Sequence, residues 1–140
     1  MGKALLLFAT LSCLAIPTVS GFGRLQTVRI IGTLHCNQYP AASVKVELWE
    51  KDRTDPDDLM ASGYTDRNGR FDLSGSEEEF TDIDPYIRIY HSCGQACNAC
   101  EKETTITIPE FSITVGAKAY KPYYAGAIQL AQEIKGSNRG

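Results

Sequence analysis

The sequence lacks most of the features that mark enzymes acting on small molecules or proteins that bind nucleic acids. It has no glycine-rich phosphate loop and no G-x-S-x-G nucleophile motif, and it contains only two histidines, His35 and His91. The sequence has 14 lysines and arginines and 17 aspartates and glutamates, which gives a net charge of −3. Nucleic-acid-binding proteins usually carry a basic patch, so this balance argues against that class. No N-x-S/T sequon is present, and N-glycosylation is therefore not expected.

The sequence also lacks a hydrophobic run long enough to cross a membrane as a helix. Its longest apolar run, from Ala4 to Ile16, has about 13 residues, whereas a span needs about 20. The run follows the positive charge of Lys3, is broken by Pro17 and precedes small residues, which is typical of a secretory signal peptide. We therefore expect residues 1–20 to be a signal peptide. Residues 21–140 would form one secreted domain, with its core at about 25–131 and a flexible C-terminal tail.

Short runs of alternating apolar and polar residues fill the rest of the chain and predict β-strands. The runs are VRIIGTLHC (28–36), SVKVELWE (43–50), PYIRIYHSC (85–93), ETTITIP (103–109) and FSITV (111–115). The Asn68–Gly69 pair predicts a tight hairpin turn before a strand that begins at Phe71. The segment AGAIQLAQEIK (125–135) fits either a final strand or a short helix. About seven to eight short strands joined by polar turns predict an all-β sandwich.

Four cysteines, Cys36, Cys93, Cys97 and Cys100, remain once the signal peptide is removed. An even number of cysteines in a secreted chain favours disulfides. Cys36 and Cys93 continue the apolar faces of their strands, so we expect both to point into the sandwich and to bond there. Cys97 and Cys100 would then close a small ring. On the chain-entropy model the long link contributes about 4 kcal/mol and the short ring about 2 kcal/mol.

The segment HSCGQACNAC (91–100) has other interpretations. Its C-x3-C-x2-C spacing is shared by some iron–sulfur sites, although the enzymes that use it are much larger and their clusters suit an oxidising compartment poorly. Zinc could take His91 and three thiolates, but Cys36 would then be left as a free thiol. A redox Cys-x-x-Cys pair would need a helix N-terminus that nothing in the pattern supplies. Disulfides are favoured, and we expect no metal ion, other cofactor or catalytic residue.

Acidic residues cluster in two runs, DRTDPDD (52–58) and SEEEFTDID (76–84). Runs of this kind are usually solvated loops. The alternative is a calcium site, because hard cations take oxygen ligands, but neither run has the glycine and terminal glutamate spacing of an EF-hand. In the first run Asp55, Asp57 and Asp58 are the candidate binding residues.

Two further features have a structural and a functional interpretation. His91 shares the face of Cys93, so we expect it to be buried and hydrogen-bonded rather than functional, whereas His35 points to the opposite face from Cys36. The stretch AYKPYYAG (119–126) holds three of the seven tyrosines. It would be either an exposed contact surface, since tyrosine is enriched at interfaces, or packing around Pro122.

A series of motifs runs through the chain in the order GTLHC (32–36), Pro40, VKVELWEKD (44–52), DPDDLMASGYTDRNGRFDLSG (55–75), IDPYIRIYHSC (83–93) and ITIPEF (106–111). This series closely resembles the nematode-type transthyretin-like family. The resemblance covers roughly residues 25 to 131 and implies a secreted, transthyretin-like (prealbumin-like) sandwich. It also implies that Cys36 and Cys93 recur as a pair, with Cys97 and Cys100 as an additional pair.

The resemblance implies a secreted, non-enzymatic binding or adaptor protein that recognises phosphatidylserine on cell surfaces or a protein receptor. The family is more distantly similar to transthyretin and to 5-hydroxyisourate hydrolases. These relatives carry a channel-mouth lysine or a catalytic histidine nine positions before the proline that matches Pro40, where this chain has Ile31. The chain also ends in GSNRG rather than Tyr-Arg-Gly-Ser. A carrier of a small hydrophobic ligand between subunits is the alternative, and a hydrolase is the third; the sequence does not determine the oligomeric state.

Overall fold

The structure, a computed structural model, describes residues 2–4, 9–10, 12–13, 23–97 and 99–131. Within them the chain forms two β-sheets packed as a sandwich, which confirms the all-β prediction. The strands are β1 Arg24–Cys36, β2 Tyr39–Pro40, β3 Lys45–Glu50, β4 Asp58–Tyr64, β5 Arg70–Glu79, β6 Pro85–His91, β7 Lys102–Thr107, β8 Thr114–Val115 and β9 Tyr123–Gln129. Seven of these have six or more residues, and β2 and β8 have two each.

The first sheet is built around β1, which at 13 residues is the longest strand. One edge of β1 pairs antiparallel with β5, from Arg24 opposite Glu79 to Thr33 opposite Arg70. The other edge pairs with antiparallel β8 and parallel β9, whereas antiparallel β2 pairs with the end of β1 on the same edge as β5. Because β1 spans the sheet, its two termini mark the two ends of the sandwich.

The second sheet has the antiparallel order β4-β3-β6-β7. Its central strand β3 ends at Glu50, which lies opposite Asp58 of β4 on one side and Pro85 of β6 on the other. A register shift between Leu48 and Trp49 produces this pairing. The β3 terminus is thus at the same end of the sandwich as Glu79.

Inward-facing side chains of both sheets form one hydrophobic core. Its fully buried members include Val28, Ile30, Leu34, Val46, Leu48, Ile87 and Ile89. Gly32 lies among them because a Cβ there would come within 2.7 Å of Cζ of the Phe71 ring. Burial of roughly 25 cal/mol per Å² of apolar surface is the main stabilising term of such a core.

Two disulfides close the end of the sandwich at which β1 finishes. Cys36 bonds Cys93, 57 positions away, and Cys97 bonds Cys100 across 3 positions. The first bond joins the two sheets, as strand alternation predicts. Since all four sulfurs are in disulfides, they do not form the thiolate set that a zinc or iron–sulfur site would need. We call this end, with Cys36, Cys93, Cys97, Cys100 and His91, the stapled end.

Three local predictions can be compared with the structure. The hairpin turn is confirmed, with Gly69 at φ +76° and the Asp66 N–H donating to the Arg70 carbonyl. Residues 125–129 belong to strand β9 rather than to a helix. The prediction of a strand through FSITV is wrong in its first half, because Glu110–Ser112 form a single turn of 3-10 helix after Pro109. Proline has no N–H to donate to a ladder, which favours this break.

The terminal predictions fall mostly outside the described residues. The predicted signal peptide, residues 1–20, is described only at 2–4, 9–10 and 12–13, and the predicted tail beyond 131 is not described. In the described parts of the chain, no helix is long and apolar enough to cross a membrane.

Candidate functional site: a carboxylate cluster

Four acidic side chains converge at the end of the sandwich opposite the stapled end. They are Glu50, Asp52, Asp58 and Glu79, and we refer to them as the carboxylate cluster. Each contributes one carboxylate oxygen, and these oxygens all lie within 4.8 Å of one another. Burial differs among them, since Glu50 is buried, Asp52 and Glu79 are half-buried and Asp58 is exposed. One side of the cluster therefore faces the protein interior and another faces solvent.

The strand termini bring these residues together. Glu50 is the last residue of β3 and lies directly opposite Asp58, the first residue of β4. Like charges placed directly opposite each other across two strands are destabilising. Glu79 ends β5, where it lies opposite Arg24 of β1. The two acidic runs of the sequence thus meet in space, although about 20 residues separate them along the chain.

The loop between β3 and β4 holds Asp52 through a network of local hydrogen bonds. Oδ1 of Asp52 accepts the Thr54 N–H at 2.9 Å and the Asp55 N–H at 3.2 Å. The Asp52 N–H donates to Oδ1 of Asp57 at 3.2 Å. Asp side chains that accept backbone N–H groups two or three residues ahead fix tight turns. The backbone bonds from Thr54 and Asp55 also lower the pKa of Asp52, so this carboxylate is ionised at neutral pH.

Asp57 turns away from the cluster and braces the loop against β6. Its Oδ2 accepts a hydrogen bond from the Tyr86 hydroxyl and lies 3.6 Å from the Arg88 guanidinium. Arg88 in turn stacks on the Trp49 ring, 4.4 Å from its centroid, and donates to the Tyr86 hydroxyl at 2.7 Å. Cation–π contacts of this kind are worth about 0.5–1 kcal/mol at exposed sites. Asp57 therefore positions the loop that carries Asp52.

The electrostatics of the cluster are unfavourable for four free carboxylates. Burial raises the pKa of Glu50 to about 7, and the charges of Glu79, Asp52 and Asp58 act in the same direction. The pKa of the neighbouring Glu77 is also raised, chiefly by burial and then by the charge of Asp58. None of the salt bridges within the described ranges includes a member of the cluster. The site therefore concentrates negative charge without a basic side chain to balance it.

The three aspartates predicted from the sequence are separated by the fold. Asp58 lies in the cluster, Asp57 contacts Tyr86, and Asp55 is exposed on the loop. A binding role for Asp55 and Asp57 stays a prediction. Three cluster members were not singled out from the sequence. A signal for one existed, because Glu50 continues the alternation of Val46 and Leu48 and so belongs to the inward face of its strand.

The stapled end contains a shallow depression instead of a charged cluster. Its volume is about 490 Å³, and its lining includes the Cys36–Cys93 disulfide, Val44, Tyr90 and His91. His91 is 5% exposed; its Nδ1 accepts the Cys93 N–H at 3.1 Å, and its Nε2 lies 3.1 Å from the Thr104 hydroxyl. Burial, and next the charge of Lys102, lower the pKa of His91. Both ring nitrogens are thus engaged, as expected of a structural histidine.

Comparison with known proteins shows that the chain is similar to transthyretin-like proteins. The family model described as TTR-52, transthyretin-like family, matches residues 31–109. Transthyretin-like protein 5 of Caenorhabditis elegans is 43% identical over 130 residues, covering 92% of this chain and 94% of its own. Transthyretin-like protein 2 of the same organism is 38% identical over 141 residues, covering 94% and 95%.

A solved structure also shows some likeness to the chain. The 9R-lipoxygenase from Cyanothece aligns at a TM-score of 0.42 and 22% identity, covering 75% of this chain and 16% of that one. No functional conclusion follows from so low a score. The extended sequence matches, together with the disulfide-linked sandwich, identify the chain as a member of the transthyretin-like family.

Proposed function

We propose that this protein is a secreted, non-enzymatic adaptor that attaches to phosphatidylserine-bearing cell surfaces through the end of the sandwich that holds the carboxylate cluster. The observation that carries the proposal is that two exposed apolar residues directly follow members of the cluster along the chain. Leu59 is 50% exposed and follows Asp58, and Phe80 is 72% exposed and follows Glu79. We refer to Leu59 and Phe80 as the apolar pair.

The apolar pair and the cluster together suit an anionic membrane surface. Exposed apolar side chains rimmed by polar groups mark interaction sites, and aromatic and leucine side chains enter the headgroup boundary of a bilayer. A phosphatidylserine surface is negative, so it would repel a chain of net charge −3 whose contact face is acidic. A cation held between protein and lipid carboxylate or phosphate groups removes this repulsion, because hard cations take oxygen ligands from both.

A binding role is also supported by the residue at the position where hydrolases of similar fold carry a catalytic histidine. That position is Ile31, which lies within β1 opposite Asp72 and Tyr124. A hydrocarbon side chain cannot transfer a proton, so general acid–base catalysis at this position is not available. We expect no turnover of 5-hydroxyisourate, and measurable turnover would contradict the non-enzymatic assignment.

Vesicle flotation tests the proposal. The disulfide-bonded chain is mixed with phosphatidylcholine vesicles, with or without phosphatidylserine, in calcium or in chelator. We expect flotation only with phosphatidylserine and calcium together. Leu59→Ser combined with Phe80→Ser should reduce the floated fraction strongly, because it removes the apolar contacts.

Tyr39→Ser is the matched control for the apolar pair. Tyr39 is 76% exposed, comparable to Phe80, but it pairs with Cys36 at the stapled end. Its replacement should leave flotation unchanged. Equal loss in the two variants, or no flotation of the unmodified chain under any condition, would reject attachment through the carboxylate end and direct attention to a protein receptor.

A carrier of a small hydrophobic ligand between subunits is the second candidate. It is favoured by an exposed aromatic surface along β9 and the preceding segment, where Phe111 and Tyr124 are 71% exposed and Tyr120 is 74% exposed. Phe111 also packs edge-on against Tyr123, with ring centroids 6.4 Å apart. Such a surface suits contact between two copies of the chain. Light scattering tests this candidate, since a carrier of this kind requires an oligomer and a strict monomer would contradict it.

A further inference from the structure

The Glu50 carboxylate is buried without a full set of partners. The residue is 4% exposed, yet Oε2 has no hydrogen-bond partner within the described part of the chain. A buried polar group left unsatisfied is destabilising, and more so when it is charged. Apart from the Asp84 backbone N–H, which acts to lower its pKa, the Glu50 carboxylate faces the other three carboxylates of the cluster, with one oxygen from each within 4.8 Å. A buried unsatisfied group in a native structure calls for an explanation, and an ion that completes its bonds is one.

We propose that the carboxylate cluster binds a calcium ion, with one oxygen from each of its four side chains. Four carboxylates and no nitrogen or sulfur donor form a hard ligand set, which excludes a typical zinc site and suits calcium or magnesium. The ion would satisfy the buried Glu50 oxygen and would separate the like charges of Glu50 and Asp58 across the β3–β4 pair. Water or a lipid oxygen would complete the coordination from the exposed side, where Asp58 lies.

The irregular origin of the ligands favours calcium over magnesium. Ligand oxygens on opposite sides of a calcium ion lie about 4.6–5.2 Å apart, since each bond is about 2.3–2.6 Å long. One calcium ion can therefore reach four oxygens that lie within 4.8 Å of one another. Magnesium, with bonds of about 2.0–2.1 Å, requires near-octahedral geometry and gives up its waters reluctantly. The mixed origin of the ligands, from two strand termini, a strand start and a loop, suits the irregular geometry that calcium accepts.

A proton on Glu50 is the competing way to relieve the buried charge. It would neutralise one carboxylate and leave the other three close together. The Asp52 carboxylate is in addition held ionised by its backbone hydrogen bonds. A divalent ion offsets charge on all four groups at once, and it explains why the two acidic runs meet at one point.

Calorimetric titration of the disulfide-bonded chain with calcium chloride alone, without lipid, tests the site. We expect one ion per chain, with a Kd of about 10⁻⁴–10⁻³ M, the range of extracellular calcium modules. Magnesium at the same concentration should bind at least about tenfold more weakly. Glu50→Gln should abolish saturable binding; because that buried position could also affect folding, a second pair of variants is needed.

Glu79→Gln and Glu78→Gln form that matched pair. They remove the same charge from adjacent residues of β5, but Glu79 belongs to the cluster and Glu78 is exposed on the opposite face. We expect Glu79→Gln to raise the Kd for calcium about tenfold or more, and Glu78→Gln to change it by less than about twofold. Absence of saturable calcium binding, or equal effects of the two variants, would overturn the proposal.

The role of the ion in membrane attachment depends on the function proposed above, whereas occupancy of the site does not. Calcium binding in the titration without calcium-dependent flotation would support the site and reject the lipid function. Flotation that is unaffected by chelator, together with no calcium binding in the titration, would overturn the site. The titration and the flotation experiment therefore distinguish failure of the calcium site from failure of the proposed lipid function.

Discussion

The two ends of the sandwich are built on opposite principles. At the stapled end, Cys36 and Cys93 are covalently joined and both ring nitrogens of the buried His91 have partners. At the other end, Glu50 faces Asp58 across a strand pair, and its Oε2 has no partner within the described residues. The first arrangement stabilises the fold, whereas the second is tolerated by it. Local departures from the rules of stability are expected where a protein binds something.

The same strands run between both ends, so the two ends belong to one sandwich with a shared core. β1 has 13 residues, which corresponds to about 40 Å at the usual rise of about 3.3 Å per residue. Effects of substitutions separated by more than about 10 Å without shared partners usually add. Each end can thus be altered while the other serves as an internal reference.

The largest expected effect comes from removing the long disulfide. Cys36→Ala combined with Cys93→Ala opens a loop closed across 57 positions. We expect the free energy of unfolding to fall by about 4 kcal/mol, because the unfolded chain regains the entropy that the link removes. Urea denaturation under non-reducing conditions measures this loss.

Cys97→Ala combined with Cys100→Ala is the control for the long link. It removes the same type of bond at the same end of the molecule, but the ring spans only 3 positions. We expect a loss of no more than about 2 kcal/mol. Losses of equal size would show that loop length is not what makes the stapled end stable.

The next largest effect has the opposite sign. Substitutions at the stapled end lower the free energy of unfolding, whereas a substitution at the carboxylate end should raise it. Glu50 has a pKa of about 7 in the folded state, against 4.5 as its ordinary value, so stability is lost as pH rises from 4.5 through 7. In chelator at about pH 8, Glu50→Gln should raise the free energy of unfolding by about 1–2 kcal/mol. Each pKa unit corresponds to about 1.4 kcal/mol, and solvent at the open side screens part of the repulsion.

Calcium should reverse this difference in stability, so that the unmodified chain becomes more stable than Glu50→Gln. At a calcium concentration of about 100 times Kd, binding stabilises the unmodified chain by about 2.7 kcal/mol, and the variant gains nothing. Thermal unfolding in chelator and in calcium would measure both states. If Glu50→Gln lowers stability in both conditions, the cluster is a structural network rather than a site with an uncompensated charge.

A smaller effect with the opposite pH dependence is expected at the stapled end. Burial holds the pKa of His91 below 6.5 in the folded state, so the unfolded chain binds more protons as pH falls. The stability that the neutral imidazole provides is present above pH 6.5 and is lost as pH falls through the folded-state pKa. His91→Asn, which keeps an acceptor for the Cys93 N–H, should remove this dependence.

The pH effect of His91 is measured as the difference in urea midpoint between the unmodified chain and His91→Asn at each pH. Glu50 titrates in an overlapping range with the opposite sign, so the profile of the unmodified chain alone is not sufficient. Urea midpoints of the unmodified chain and His91→Asn should diverge as pH increases from about 5 to about 7.5. Parallel profiles would show that His91 is not a source of acid sensitivity. Lys102, whose charge also lowers the pKa of His91, is unchanged in both proteins.

The two ends also differ in how far the sequence predicts them. The Cys36–Cys93 bond follows from alternation within each strand, which is a local property. The cluster depends on which strand termini meet, and this is set by non-local register. The shift between Leu48 and Trp49 places Asp58, rather than Leu59, opposite Glu50. No pattern along the chain predicts a shift of one residue, although the inward position of Glu50 could have been recognised.

The smallest expected effect distinguishes a ligand from a residue that positions the loop. Asp57 was a candidate ligand from its place in the acidic run, yet it contacts Tyr86 and Arg88. Asp57→Asn keeps the size of the side chain but weakens both contacts, and half-exposed pairs of this kind are worth up to about 1 kcal/mol. We expect the Kd for calcium to rise by less than about fivefold, since about 1 kcal/mol corresponds to that factor. Tyr86→Phe, which removes the hydroxyl donor and no carboxylate, should give a change of similar size. A loss as large as that of Glu79→Gln would instead make Asp57 a direct ligand, and the site would then include the loop residue predicted from the sequence.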